Sequence, residues 1–248
     1  MKKNTFHLVS LGCAKNTVDS NTMAQLLSGN GYIPVADPRD AQVILVNTCG
    51  FIQPARDESY SVLEDLASAK KPGQMLVAAG CLTQRFGEEV LQKVSGIDAL
   101  LGTRRWMDII GVVSGLRDGN RPRPFYHLPE VETVGSSPGE VINAHIDGGS
   151  AYLKIADGCR RPCAFCAIPR IKGTAVSRPL DDILKDALYL QSQGVREINL
   201  IAQDTTDYGF DLGQEDGLAS LLISLQNAVS EIDWIRVLYA YPGYITDK

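Results

Sequence analysis

Apolar positions along the 248-residue chain fall into two alternating rhythms. Residues 6–12 (FHLVSLG) and 41–48 (AQVILVNT) are short, nearly continuous apolar runs, as are residues 75–79 and 97–101. Runs of this kind, ended by glycine or a polar residue, predict buried strands. Between the first two, Val18, Met23, Leu26 and Leu27 recur at helical spacing, with the capping types Asp19 and Ser20 near the start and Gly29 and Gly31 past the end. That pattern predicts a helix. A second helix is expected over residues 54–69, where Pro54 suits a first turn because its missing N–H would have no partner there. A third follows Cys81 and runs through Leu91, and a fourth covers residues 107–113.

The rhythm breaks between residues 116 and 150. Pro122, Pro124, Pro129 and Pro138, with glycines and serines among them, predict a connection rather than a helix. It then returns, with strands over residues 152–156, 197–202 and 235–240 and helices over residues 179–193 and 218–229. Alternating strands and helices predict an α/β fold with parallel sheets. The expected organisation is an N-terminal domain over residues 1–115, a linker over 116–150 and a second domain over 151–248. In such sheets functional groups gather at the carboxyl ends of the strands.

Composition narrows the class. With 44% hydrophobic and 21% charged residues, a packed core is feasible. No run of about 18 apolar residues could span a bilayer, and the N-terminus lacks the apolar stretch of a secretory signal. The expectation is a cytoplasmic protein with no membrane partner. In that compartment six cysteines point to metal or catalytic use before disulfides. The net charge of −5 carries no overall signature of nucleic-acid binding. Locally the balance reverses: from residue 151 to 178, Lys154, Arg160, Arg161, Arg170, Lys172 and Arg178 face only Asp157. Such a collar suits an anionic group, and it is equally the composition of a solvated basic loop.

The cysteines carry the chemistry. Cys159, Cys163 and Cys166 follow the pattern C-x3-C-x2-C with Phe165 just before the last, so one loop can bring three thiolates to one centre. Structural zinc takes four protein ligands, and iron–sulfur clusters are most often held by four cysteines. With no fourth cysteine nearby, a cluster here would leave one iron open to a ligand that is not protein. Zinc completed by a histidine and inert buried thiols are the alternatives; His7, His127 and His145 lack finger-like spacing to the triplet. Cys13, Cys49 and Cys81 each end a predicted strand, in LGC, NTC and AGC. At the carboxyl edge of one parallel sheet they can meet, which predicts a second metal centre, iron–sulfur or zinc, with buried core thiols as the plain alternative.

The segments SLGCAKNTVDS, NTCGFI, AGCLTQR, GCRRPCAFCAIPRIKG and AQDTTDYG together resemble the methylthiotransferases of the radical S-adenosylmethionine (SAM) superfamily. The resemblance runs from Leu11 to about Tyr241. It implies an N-terminal methylthiotransferase domain followed by the first half of a radical SAM (β/α) partial barrel. Two 4Fe-4S clusters and SAM are then the expected cofactors. Cys159, Cys163 and Cys166 would hold the cluster that cleaves SAM, and Cys13, Cys49 and Cys81 an auxiliary cluster that carries sulfur. Phe165, Gln203 and Asp204 would contact SAM; a core aromatic and a simple turn are the plain readings of the same residues. LGCAKNTVDS, AIPRIKG and QDTTDYG lean toward the branch acting on an aspartate of ribosomal protein uS12, in the small ribosomal subunit, and away from the branch acting on a tRNA adenosine. An electron donor such as flavodoxin or ferredoxin is implied. An iron–sulfur or zinc protein that only carries electrons is the reading from another class.

Three residues depart from the family pattern. Ala14 stands where proline is usual, Pro162 where a basic residue is common and Lys172 where arginine is common. None removes a thiolate. By the same resemblance the later barrel strands and a C-terminal TRAM domain are missing, so the chain reads as truncated. Cluster assembly is expected more readily than turnover.

Overall fold

The computed structural model of the chain describes residues 4–136 and 141–245; Pro138, one of the prolines of the predicted connection, lies outside them. The chain forms two compact units, Met1–Val131 and Glu132–Lys248.

The first unit opens with β1 (Thr5–Ser10), α1 (Ala14–Gly29), β2 (Ile33–Pro34), β3 (Val43–Thr48), α2 (Gln53–Ala69) and β4 (Met75–Gly80). It continues with α3 (Cys81–Phe86), α4 (Glu88–Lys93), β5 (Ala99–Gly102), α5 (Ile109–Arg117) and β6 (Phe125–His127). The strands form one sheet in the order β2-β1-β3-β4-β5-β6, and every pairing is parallel. β3 and β4 are buried along their whole length, because helices cover both faces of a parallel sheet. Ile44, Val46, Leu76, Ala78 and Leu100 pack with Leu63 of α2 and Leu82 of α3.

α1 begins four residues before the apolar periodicity does, directly after Cys13. Its first turns bury Lys15, Asn16, Asp19 and Ser20, so a hydrophobic count cannot see them. The helix expected after Cys81 is two helices, broken at Gly87, whose φ of +45° ends α3. The proline-bearing stretch contributes β6 at the sheet edge, and β2 is a two-residue edge strand; both are too short to leave a periodic signal.

The second unit contains β7 (Ala144–Asp147), β8 (Ser150–Lys154), β9 (Ala156–Asp157), α6 (Ile168–Lys172), β10 (Val176–Ser177), α7 (Leu180–Ser192), β11 (Glu197–Ile201), α8 (Gly217–Ala228) and β12 (Trp234–Val237). β8, β11 and β12 are parallel, with α7 and α8 as their crossovers; β7 adds antiparallel to β8 through a turn at Gly148 and Gly149. β9 and β10 form a separate antiparallel pair. Ala151 and Leu153 of β8 and Ile198 and Leu200 of β11 pack against Ile183, Ala187, Leu190, Leu221 and Leu225 of the helices. Strand alternation therefore turns Lys154 to the opposite face.

Asp186 of α7 ties this layer together. Its carboxylate accepts from the backbone N–H of Asn143 at 3.0 Å and from Arg178 Nη2 at 2.7 Å. Burial pushes its pKa up, and Arg178 and the Asn143 amide offset only part of that. The folded state thus holds this proton to higher pH than the unfolded chain does. The contribution is complete below the ordinary carboxylate value and is lost as pH rises through the raised one. Urea unfolding from about pH 4 to about pH 7 should show this decline in the native chain and a flatter profile in Asp186→Asn.

Candidate metal centres

The loop that carries Cys159, Cys163 and Cys166 is pinned at both ends by glycines that no other residue could replace without strain. Gly158 sits at φ +79°, and a Cβ there would fall 2.0 Å from the carbonyl oxygen of Thr174. Gly173 sits at φ +82°, and its Cβ would fall 1.9 Å from the carbonyl oxygen of Glu132. The close approach lets the Cys159 N–H donate to Gly173 O at 3.1 Å, which closes the loop. Inside it, the Cys166 N–H donates to Cys163 O at 3.0 Å, and the Arg161 N–H points at Cys159 Sγ at 3.4 Å. All three thiols are free and half-buried. Burial pushes the Cys159 thiol up, the Arg161 amide works against it, and Asp204, Cys166 and Cys163 add to the rise. Phe165 is 90% exposed, so it is not a core aromatic.

Two arginines hold this loop to the turns that follow β11 and β12. Arg160 makes a two-pronged pair with Asp207, at 2.8 and 2.7 Å, and lies 3.5 Å over the Phe210 ring. Arg161 donates to Asp204 at 2.7 Å and reaches Asp207 at 3.4 Å, with its guanidinium 3.6 Å over Tyr244 and 5.4 Å from Tyr241. A cavity of about 340 Å³ lies between these arginines, Pro162, Cys163, Tyr241 and Tyr244. Asp204 gives its other oxygen to the N–H and hydroxyl of Thr206, at 3.1 and 2.5 Å. Its carboxylate therefore faces the three-cysteine loop and its own turn.

Deeper in the unit, Lys154 and Lys172 share Asp157, at 2.7 and 3.0 Å, and all three are buried. Burial alone would raise the Asp157 carboxyl; the two ammonium groups win and hold it far below the usual range. The basic collar is thus balanced by acids, and three of them, Asp186, Asp204 and Asp207, lie outside the 151–178 window. Gln203 donates from Nε2 to Asp157 Oδ1 at 3.3 Å. That fixes its amide, and Oε1 is left buried with no hydrogen-bond partner among the described residues. An unpaired buried carbonyl costs about 1–3 kcal/mol, so this atom is set to receive a donor.

In the first unit Cys13 follows β1, Cys49 follows β3 and Cys81 opens α3 after β4. These strands are neighbours in one parallel sheet, so the three cysteines stand at one edge. Their loops touch: a Cβ on Gly12 would lie 2.7 Å from Cys49 Cβ, and one on Gly50 would lie 2.7 Å from Leu82 Cα and 2.9 Å from the Cys81 carbonyl carbon. Cys49 and Cys81 are buried and Cys13 is exposed. Burial pushes the Cys49 thiol up, the Phe51 amide opposes this, and Cys13 adds to the rise. Ser59 and Arg85 clamp the Cys49 turn: Ser59 Oγ accepts from the Cys49 N–H at 3.0 Å, and Arg85 Nη1 donates to Gly50 O at 2.8 Å and Phe51 O at 3.0 Å. Sequence reasoning missed both residues, although Arg85 closes the AGCLTQR segment.

Among the described residues, no three His, Cys, Asp or Glu side chains are gathered as ligands around a single metal ion. A 4Fe-4S cluster makes a different demand, because each cysteine takes a different iron and the thiols stand wider apart. Two all-thiol sets with amide N–H groups turned toward them suit that donor chemistry.

Residues 5–102 match the family model described as Uncharacterized protein family UPF0004, and residues 153–247 match the Radical SAM superfamily. Over nearly its whole length the chain is similar to radical SAM methylthiotransferases. Two of its relatives are each named ribosomal protein uS12 methylthiotransferase RimO. The protein of Chloroflexus aurantiacus is 45% identical over 255 residues, covering 98% of this chain and 56% of that protein. The protein of Syntrophus aciditrophicus is 41% identical over 256 residues, covering 100% and 55%. The chain thus spans about half the length of the curated relatives it matches. Among solved structures, the radical SAM methyltransferase TsrM from Kitasatospora setae superposes with a TM-score of 0.61 at 13% identity, over 90% of this chain and 51% of that one. That likeness is one of fold. No helix among the described residues is long and apolar enough to cross a membrane.

Proposed function

We propose that this chain is the cluster-bearing part of an enzyme that methylthiolates an aspartate of ribosomal protein uS12. The observation that carries the reading is the glycine-pinned loop with three thiols and no fourth, in a chain 45% identical to a RimO protein. Cys159, Cys163 and Cys166 would hold a 4Fe-4S cluster with one open iron, and Cys13, Cys49 and Cys81 a second, sulfur-carrying cluster. With such an open cluster bound at Cys159, Cys163 and Cys166 and reduced, the electron that cleaves SAM would come from it.

The protein's own residues do the positioning. The Arg161 amide donates toward Cys159 Sγ and orients that ligand. Gln203, turned by Asp157, offers Oε1 to a donor on SAM, and exposed Phe165 offers a ring to the adenine. Asp204 serves the same site at one remove, through Arg161. The reaction belongs in the cytoplasm, where ribosomes and a donor such as flavodoxin or ferredoxin are at hand.

Anaerobic reconstitution with iron and sulfide tests the assignment. Two clusters correspond to about eight irons per chain. Incubation with SAM and dithionite should then yield 5′-deoxyadenosine. Bound zinc in place of iron, or an iron protein that leaves SAM intact under reduction, would overturn the reading; the latter is the behaviour of an electron carrier.

A further inference from the structure

Asn16 is 1% exposed, three residues after Cys13 in the first turn of α1. Its carboxamide reaches all three cysteine-bearing loops of the first unit. Nδ2 donates one hydrogen to Leu11 O at 2.9 Å, two residues before Cys13. It donates the other to Thr48 O at 3.0 Å, the residue before Cys49. Two carbonyl acceptors on one side settle which end of the amide is nitrogen. Oδ1 must then face the other way, and there it receives the Cys81 thiol at 3.8 Å.

The backbone beneath this group is fixed as well. Asn47 Nδ2 donates to Asn16 O at 2.9 Å and to Ser20 Oγ at 2.9 Å. Ser20 in turn donates to Ser10 Oγ at 2.8 Å. Gly80, at φ +102°, leaves room for this: a Cβ there would fall 2.4 Å from Asn47 Oδ1. One helix and two strands therefore hold Asn16 still, and Asn16 alone in this network touches every loop that carries a thiol.

We infer that Asn16 is a positioning residue that presets Cys13, Cys49 and Cys81 for a metal cluster by tying their three loops to one planar amide. The inference rests on the reading that these thiols hold a cluster. Asn16 would contact no metal. In the metal-free protein it sets the spacing of Leu11, Thr48 and Cys81, and the weak S–H contact is given up when Cys81 becomes a thiolate ligand.

The test uses the full chain carrying Cys159→Ala, Cys163→Ala and Cys166→Ala, so that only the first unit can hold a cluster. Into it go Asn16→Asp, Asn16→Ala and, as a control, Ser20→Ala. Asn16→Asp keeps the shape and sets oxygens against the carbonyls of Leu11 and Thr48. Ser20→Ala removes hydrogen bonds from the same buried network without touching a cysteine loop. After anaerobic reconstitution, iron retention against a chelator should weaken about 10-fold or more in both Asn16 variants, the loss typical of an outer-shell partner. Ser20→Ala, which loosens only the support behind Asn16, should lose far less iron than either Asn16 variant.

A second readout needs no metal. Iodoacetamide labelling of the apo protein, followed by mass spectrometry, should modify Cys81 and Cys49 faster in the Asn16 variants than in the parent, with a much smaller increase in Ser20→Ala. Thermal melts of every variant accompany both measurements. Asn16→Asp with parental iron retention, or with a loss no larger than Ser20→Ala shows at equal melting temperature, overturns the inference. A parent that binds no iron sinks the second-cluster reading instead, and the labelling comparison then decides the role of Asn16.

Discussion

Replacing Cys163 with alanine should reduce 5′-deoxyadenosine formation to background, whereas replacing Cys49 should leave it measurable. The two cysteines are alike in chemistry and differ in address. Cys163 is the central thiol of a loop that has three and no more, and its carbonyl accepts the N–H of Cys166. Losing it leaves two ligands, which cannot hold a cluster that already lacks a fourth. Cys49 belongs to the other compact unit and to another thiol set. Its loss should remove the iron assigned to the first unit and spare the loop of Cys159, Cys163 and Cys166. Iron analysis by variant separates the cases: each should lose about half of the reconstituted iron, and only Cys163→Ala should lose the nucleoside product. Equal nucleoside yield from both variants and the native chain would sink the division of labour.

The grouping of the thiols into two sets is legible in the residues for a geometric reason, whereas the task assigned to each set comes from the family resemblance. A triplet within eight positions declares itself, and cysteines at three successive strand ends converge because parallel strands present their carboxyl ends to one edge. What holds the thiols in place was far less legible. Asn16 sits in a polar stretch that carries no apolar period although it is buried, so periodicity places the helix start four residues late. Arg160 and Arg161 read as a basic collar, since their carboxylate partners come from turns more than 40 positions downstream, at Asp204 and Asp207. Short edge strands such as β2, and the strands on either side of the proline stretch, have no periodicity to detect. Local composition reports which groups are present; tertiary pairing decides which of them are already engaged.

That pairing gives the second large effect. Arg161→Ala should destabilise the second unit by about 3–5 kcal/mol, because it removes one partner of a buried ion pair. The side chains concerned are 10% exposed for Arg161, 5% for Asp204 and 4% for Asp207. Asp204 would keep only its Thr206 donors, and Asp207 would keep Arg160. Arg161→Lys should recover little, since an ammonium neither stacks flat on Tyr244 nor spans two carboxylates. Arg160→Ala should cost less: its side chain is 35% exposed, and solvent already screens the pair with Asp207. The decisive comparison is the double variant Arg161→Ala with Asp204→Asn. If the damage comes from a stranded buried carboxylate, neutralising Asp204 should return part of the lost stability in urea unfolding, and the double variant will be more stable than Arg161→Ala alone. If Arg161 acts mainly by stacking on Tyr244, neutralising Asp204 will return nothing. In either case the Arg161 amide that points at Cys159 Sγ loses its anchor, so iron held by Cys159, Cys163 and Cys166 should be lost to a chelator faster than iron held by the first unit.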